Sequence, residues 1–149
     1  ANEVVLADIT DYPAKDNSFD VVFFNHVLEH INDDVSALSE VYRVLKPGGI
    51  CVLGVPNEGA FWWQLAYKLQ PGSLKQSDHV QFYTVKSLTK KTTSVGFKTR
   101  EVKRLGWGLP HWYLDSMVRG YKILDDLFEV LGKVFLPNQA SSLYLIIEK

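Results

Sequence analysis

Apolar and polar residues alternate along the chain in blocks that predict strands and helices in alternation. The apolar run FDVVFFN ends in Asn25 and His26, and a second run, ICVLGVP, covers residues 50–56. Apolar runs that end in polar residues are typical of parallel strands buried on both faces. Between the two runs, apolar residues recur at three- and four-residue steps. This spacing predicts a helix that is capped by Asn32 or Asp33 and stopped by a Pro-Gly-Gly turn.

The second half of the chain repeats these signals. Thr84 is a candidate cap for a helix over residues 85–94, and Gly96 follows as a typical helix end. The alternation over residues 97–104 predicts a strand, and residues 141–148 predict the final strand.

Residues 105–140 form an unusually long connection between these last two strands. Its centre is amphipathic, because an apolar stripe recurs at helical spacing from Leu114 to Phe135, opposed by charged residues. We therefore predict one helix with a buried apolar face. Connections of this length usually have a function of their own.

Composition and charge narrow the classes of function. The 149 residues, 46% hydrophobic and 22% charged, suit one globular domain with its own core. A net charge of −1 gives no electrostatic footprint for nucleic acid. The single Cys51 lies in an apolar run, which predicts a buried thiol and, without an intrachain disulfide, a cytoplasmic location. No apolar stretch reaches the about 18 residues of a membrane span, so we expect a soluble protein.

The block from Asp8 to Asn57, which contains DNSFDVV, VLEHI and EVYRVLKPGG, resembles the second half of class I S-adenosylmethionine-dependent methyltransferases, particularly the small bacterial and archaeal ones. The resemblance implies an α/β fold: a Rossmann-like, mostly parallel sheet with an antiparallel last strand. It also implies a single methyltransferase domain over residues 1–149, with residues 105–140 as a helical lid. The implied activity is methyl transfer from S-adenosylmethionine to a small-molecule or lipid-linked acceptor, preferentially at oxygen.

The same resemblance assigns residues to the cofactor site. The carboxylate of Asp8 would accept from the adenine amine, and the N–H of Ile9 would donate to the adenine ring. The backbone carbonyls at Asn25 and His26 would face the amino group of the cofactor, and His30 would line its pocket.

The glycine-rich loop of the family, expected upstream of Asp8, does not occur in this sequence. The chain thus resembles a methyltransferase domain without its first two strands, with a short strand over residues 3–7 at its start. This leaves the strand over residues 20–25 with an open edge. We expect that edge to pair with a second copy, forming a homodimer, or with residues 3–8 directly. An association module is accordingly the alternative function, and a nicotinamide-dependent oxidoreductase ranks last because G-x-G-x-x-G is missing.

The histidines offer further chemistry. His79, in SDHVQFYT, could remove a proton from an acceptor hydroxyl or could merely fix a helix cap, and the sequence favours neither. His26 and His30 have a metal-binding spacing, but HVLEH differs from the H-E-x-x-H signature and the family predicts no metal. Glu40 and Arg43 are expected to form a structural salt bridge.

Aromatic residues are concentrated where such enzymes build their substrate-facing lid, and lid and core roles both remain open for them. The candidate substrate-binding residues are Phe61, Trp62, Trp63, Tyr67, Tyr83, Trp107, His111 and Trp112.

Overall fold

The computed structural model describes residues 4–69, 78–107 and 112–149, without the side chains of residues 62, 63, 66, 112 and 114. The elements in chain order are β1 (Phe19–Asn25), a 3₁₀ turn (Leu28–His30), α1 (Asp34–Val44), β2 (Leu45–Pro56), α2 (Phe61–Leu69), α3 (Val85–Val95), β3 (Lys98–Leu105), α4 (Trp112–Arg119), α5 (Lys122–Phe135) and β4 (Ser142–Glu148).

The strands form one sheet in the order β1-β2-β4-β3. β1 and β2 are parallel, whereas β4 runs antiparallel to both β2 and β3. This arrangement confirms the predicted α/β class and its antiparallel last strand. Asn25 pairs with Gly54, and Ser142 pairs with both Pro56 and Leu105. The carboxyl ends of β1, β2 and β3 therefore lie together at one end of the strands, which we call the carboxyl end of the sheet.

The core lies around the two central strands. β2 and β4 bury alternate apolar side chains, and α1 and α3 contribute further apolar residues to the same cluster. Cys51 on β2 is fully buried, as predicted. Burial raises the pKa of its thiol to about 12, which makes Cys51 a packing residue.

Local capping sets the helix ends where the sequence predicts them. The Asp33 side chain accepts from the Ser36 N–H at 3.0 Å at the start of α1. Thr84 and Ser87 form a reciprocal capping box at the start of α3. Gly96 ends α3 with a φ of +117°, a left-handed conformation that favours glycine.

The predicted strand over residues 3–7 is wrong for the residues that the structure describes. Residues 4–8 have no strand pairing, and Val4 and Leu6 are 97% and 103% exposed. A strand needs a hydrogen-bonded neighbour, and within the described chain none lies beside this segment. Direct pairing of this segment with β1 does not occur either. The outer side of β1 stays open, with Val21 60% and Phe23 68% exposed.

A salt bridge fastens the loop before β1 to α1. Arg43 binds Glu40 at 2.8 Å, which confirms the predicted pair. The same guanidinium donates to the carbonyls of Tyr12 and Ala14 at 2.9 and 2.7 Å and pairs with Asp16 at 2.7 Å. The role of the pair is therefore structural.

The connection between β3 and β4 differs from the prediction, because it contains two helices, α4 and α5, separated by Gly120 and Tyr121. Its apolar side chains are largely exposed instead of buried; Ile123 is 84% and Phe135 71% exposed. Trp107 fastens α5, since its ring packs on Gly132 and its Nε1–H donates to the Leu136 carbonyl at 2.8 Å. No helix within residues 4–69, 78–107 and 112–149 has the length and apolar character to cross a membrane.

Candidate functional site

Polar residues that are distant in the sequence meet where β1 and β2 end. Three of them, His26, Glu29 and His30, follow β1, Glu58 follows β2, and His79 lies in the loop before α3. We call these five residues the histidine–glutamate cluster. Ligands of open α/β sheets bind at the carboxyl ends of the strands. The position of the cluster there makes it the candidate site.

Glu29 is the most buried member of the cluster, with 1% of its surface exposed. Its Oε1 lies 3.3 Å from His26 Nδ1 and 3.9 Å from His30 Nε2. Burial opposes ionisation, but the hydrogen bond from His26 holds the pKa of Glu29 below its usual value. Glu29 is therefore a buried anion.

A second carboxyl group lies beside His79, whose Nδ1 is buried without a hydrogen-bond partner among the described residues. Glu58 Oε1 lies 3.5 Å from His79 Nδ1 and accepts a hydrogen bond from the Tyr67 hydroxyl at 3.0 Å. Burial raises the pKa of Glu58, and burial beside Glu58 raises the pKa of Tyr67. Tyr67, predicted as a substrate-binding residue, thus holds Glu58 in place next to His79.

Backbone hydrogen bonds hold the loop that carries His79. The Glu29 carbonyl accepts from the N–H groups of Val80 and Gln81 at 2.9 and 3.0 Å. On the other side, the Glu58 N–H donates to the Tyr83 carbonyl at 3.0 Å. His79 is therefore fixed between the segments that follow β1 and β2.

The end of β1 has the features expected of a ligand contact. Asn25 Oδ1 is buried and has no hydrogen-bond partner among the described residues. It faces Gly54, where a Cβ atom would lie 2.1 Å from this oxygen. His26 has a φ of +50°, a conformation that non-glycine residues adopt at a cost and that clusters at functional sites.

Asp8 and Ile9 lie apart from the histidine–glutamate cluster. Asp8 Oδ1 accepts from the N–H and the hydroxyl of Thr10, both at 2.8 Å, and these bonds lower the pKa of the exposed carboxyl. Ile9 lines an apolar groove of about 260 Å³ along β1 together with Phe23. No hydrogen bond or ion pair within the described ranges connects Asp8 with the cluster.

The predicted aromatic wall is only partly assembled. Phe61 is 57% exposed at the start of α2. Tyr83 is buried in the core and donates to Asp34 at 2.5 Å, which favours a structural role. Trp107 is buried against α5. The side chains of Trp62, Trp63 and Trp112, and the whole of His111, lie outside the described residues.

The sequence did not identify Glu29 and Glu58 as site residues. Both follow the apolar runs that predict β1 and β2, and polar residues at the carboxyl ends of buried strands are the signal that indicates them. Their contacts with His79 span 50 and 21 positions of the chain, respectively, and local spacing does not reveal such contacts.

Comparison with known proteins relates the beginning of the chain to one family. Residues 1–53 match the methyltransferase domain family. A ubiquinone/menaquinone biosynthesis C-methyltransferase from Desulfotalea psychrophila is 49% identical over 47 residues, 32% of this chain and 19% of that protein. A malonyl-[acyl-carrier protein] O-methyltransferase from Yersinia pestis is 32% identical over 87 residues, 54% of this chain and 33% of its own length. The chain spans a third or less of both relatives.

Solved structures share the fold over most of the chain. A S-adenosylmethionine-dependent methyltransferase from Thermotoga maritima, described as a possible histamine N-methyltransferase, superposes with a TM-score of 0.68 at 20% identity. The match covers 96% of this chain and 62% of that one. A S-adenosylmethionine-dependent methyltransferase from Archaeoglobus fulgidus has a TM-score of 0.65 at 16% identity, covering 97% and 66% of the two chains.

Proposed function

Because residues 1–53 match the methyltransferase domain family and the chain shares the fold of S-adenosylmethionine-dependent methyltransferases, we propose that the protein transfers a methyl group from S-adenosylmethionine to an oxygen of a small-molecule acceptor. The observation that carries the proposal is the histidine–glutamate cluster at the carboxyl ends of β1 and β2. Relatives in this family include enzymes named as C-methyltransferases and as O-methyltransferases. A site that places an imidazole next to a buried carboxylate favours an acceptor with a proton to lose, such as a hydroxyl.

The residues at the end of β1 fit the cofactor. Asn25 Oδ1 is a buried acceptor without a partner in the described chain, and it packs against Gly54, where any side chain would collide with it. For the adenine part of the cofactor, Asp8 provides an exposed, ionised carboxylate that Thr10 orients for a donor such as the adenine amine. The Ile9 N–H, the carbonyls of Asn25 and His26, and the nearby His30 complete the proposed set. When bound, S-adenosylmethionine supplies an electrophilic methyl group on its sulfonium.

His79 has the proposed role of general base. Its side chain is 17% exposed, and Glu58 lies 3.5 Å from its Nδ1. A carboxylate at this nitrogen stabilises the imidazolium that forms when the other ring nitrogen takes a proton. Methyl transfer is an in-line displacement that depends mainly on the position of the reacting groups and on the exclusion of water. A single general base is therefore the only catalytic group that the reaction needs from the protein.

We further propose that α4 and α5 act as a lid over a flat or lipid-like acceptor. The segment that contains them leaves β3 at Leu105 and enters β4 at Ser142. These two residues pair at the carboxyl end of the sheet, where the cluster lies. The exposed apolar side chains of α5 provide a surface that an apolar acceptor would cover. Removing residues 109–137 with a short linker should abolish acceptor turnover and spare cofactor binding. Loss of both acceptor turnover and cofactor binding would instead show that these helices are part of the structural core of the domain.

Transfer of labelled methyl groups tests the proposed base. The full-length protein and its His79→Gln variant are assayed against acceptors that present a hydroxyl, an amine or an acidic carbon. We expect turnover of the hydroxyl acceptor to fall by about 10²–10⁴-fold in the variant, with unchanged affinity for S-adenosylmethionine. Lys122→Gln is the matched control, because Lys122 is exposed on α5 and pairs only with Asp126 at 2.8 Å among the described residues. Equal turnover by His79→Gln would remove His79 from the mechanism.

The alternative function, a non-catalytic or incomplete methyltransferase-like domain that acts as an association module, is favoured by the open edge of β1. Val21 and Phe23 are exposed there beside unpaired backbone groups, a combination that recruits another strand. Light scattering together with the methyl-transfer assay decides between the proposals. A dimer that Val21→Lys converts to a monomer, in a protein without methyl transfer, would support the association module, whereas a wild-type monomer would contradict it.

A further inference from the structure

Three side chains of the histidine–glutamate cluster face a common point. Ligand atoms of Glu29, His30 and His79 all lie within 4.8 Å of one another. The distance between Glu29 Oε1 and His30 Nε2 is 3.9 Å, which is too long for a hydrogen bond. No hydrogen bond joins the three groups in the described chain, although the His30 and His79 rings pack edge to face at a centroid distance of 5.0 Å. We call the space between their ligand atoms the gap.

Glu29 gives an independent sign that something belongs in this gap. The residue is 1% exposed, and its Oε2 is buried without a hydrogen-bond partner among the described residues. A buried carboxylate is costly unless it is paired or bound to a metal. His26 reaches only the other oxygen of this carboxylate, Oε1, at 3.3 Å. One oxygen of a buried anion therefore remains to be satisfied.

The surroundings orient His30 as metal-bound histidines are oriented. His30 Nδ1 lies 3.2 Å from the Asp78 carbonyl, so an N–H donated there leaves the lone pair on Nε2, the nitrogen nearer Glu29. Metal-bound histidines usually give their second ring N–H to a carbonyl or a carboxylate, and the Asp78 carbonyl is such a partner. Glu58 lies 3.5 Å from His79 Nδ1, which is buried without a hydrogen bond in the described chain.

We propose that a divalent transition-metal ion binds between Glu29, His30 and His79. Two imidazoles and a carboxylate are a ligand set of catalytic zinc sites, which keep a fourth position open, whereas Mg²⁺ requires oxygen ligands in octahedral geometry. Zinc-ligand distances of about 2.0–2.2 Å place tetrahedral ligands about 3.3–3.5 Å apart, so the side chains close in by about 1 Å on binding. This inference overrides the sequence-based expectation of no metal, which considered His26 and His30 without His79.

The open position offers a use that rests on the proposed function. While the ion is bound, His79 is a ligand and cannot act as the base, so the ion replaces it as the activator of the acceptor. An acceptor hydroxyl bound at the open position would release its proton to solvent more easily, because a metal ion lowers the pKa of a coordinated oxygen. The binding of the ion itself is independent of cofactor and acceptor.

Calorimetric titration of Zn²⁺ into the chelator-treated full-length protein, without S-adenosylmethionine, tests the site. We expect one ion per chain, with affinity reduced by at least about 10–100-fold in Glu29→Gln and in His79→Gln. Cys51→Ala is the matched control, because it removes the only thiol of the chain from the core and should leave affinity unchanged. Binding lost in Cys51→Ala, no binding by the wild type, or equal affinity in the site variants would overturn the proposal.

A second measurement decides the matter should a variant fail to fold. Co²⁺ added to the wild-type protein should develop the intense ligand-field absorption of a tetrahedral site, and Zn²⁺ in excess should bleach it, whereas Mg²⁺ should not. The weak spectrum of hydrated Co²⁺ in the presence of the protein, or bleaching by Mg²⁺, would contradict a transition-metal site. These readouts do not involve methyl transfer, so failure of the proposed function leaves them interpretable.

Discussion

The Gly54→Ala substitution tests the packing that positions Asn25 at the end of β1. A Cβ atom at Gly54 would lie 2.1 Å from Asn25 Oδ1 and 2.7 Å from Tyr144 Cε1, so both side chains must move. Overpacking costs about 1–3 kcal/mol, and replacing glycine in a strand returns about 0.5–1 kcal/mol. Because both contacts are severe overlaps, we take an overpacking cost of about 2–3 kcal/mol and expect a net destabilisation of about 1–2.5 kcal/mol, together with weaker cofactor binding as Asn25 is displaced.

Urea denaturation measures the stability term, with a lower midpoint at unchanged slope as the expected result. The Asn25→Ala/Gly54→Ala double variant is the control. Because it removes the nearest obstructing atom, the two substitutions should destabilise less together than the sum of their separate effects. A Gly54→Ala protein as stable as the wild type, or strictly additive effects, would refute the close approach of Asn25 to Gly54.

Further predictions concern the scaffold. Since burial raises the pKa of Cys51 to about 12, a thiol reagent should label the folded protein only at the rate of unfolding; rapid labelling in native buffer would contradict the buried position. Arg43 donates to Glu40 and lowers its pKa, so the pair stabilises the fold above the unfolded pKa of about 4.3 and this contribution is lost as the pH falls through the folded value. Acid denaturation of Glu40→Gln should therefore depend less on pH below about 4.3; an unchanged profile would exclude the pair. Gly132→Ala places a Cβ 2.0 Å from Trp107 Cγ and should raise tryptophan exposure to quenchers by undocking α5; unchanged quenching would argue against this contact.

Elements with local signals could be predicted from the sequence. The cap at Thr84 and the glycine at Gly96 define α3, because capping bonds and a left-handed residue act within a few positions. The apolar run of β1 likewise predicts a strand, although the predicted burial on both faces is wrong, because most residues of β1 are exposed in the described chain.

Elements that depend on partners distant in the sequence could not be predicted from the sequence. Residues 4–7 are apolar, but a strand requires a neighbour that local sequence does not specify. The stripe of α4 and α5 indicates amphipathic helices but not what covers them, and the break at Gly120 is hidden by the continuous spacing. The approach of His79 to Glu58 and Glu29 results from backbone hydrogen bonds of its loop, which no local spacing encodes.

Calorimetric titration of S-adenosylmethionine into the full-length protein is the decisive test of the proposed cofactor site. We expect saturable binding at one site per chain. We also expect that Asp8→Ala, which removes an exposed carboxylate oriented by Thr10, weakens binding by about 0.5–1.5 kcal/mol, or up to about 10-fold. Absence of binding, or an affinity that neither Asp8→Ala nor Asn25→Ala alters, would contradict a cofactor site at the carboxyl ends of these strands.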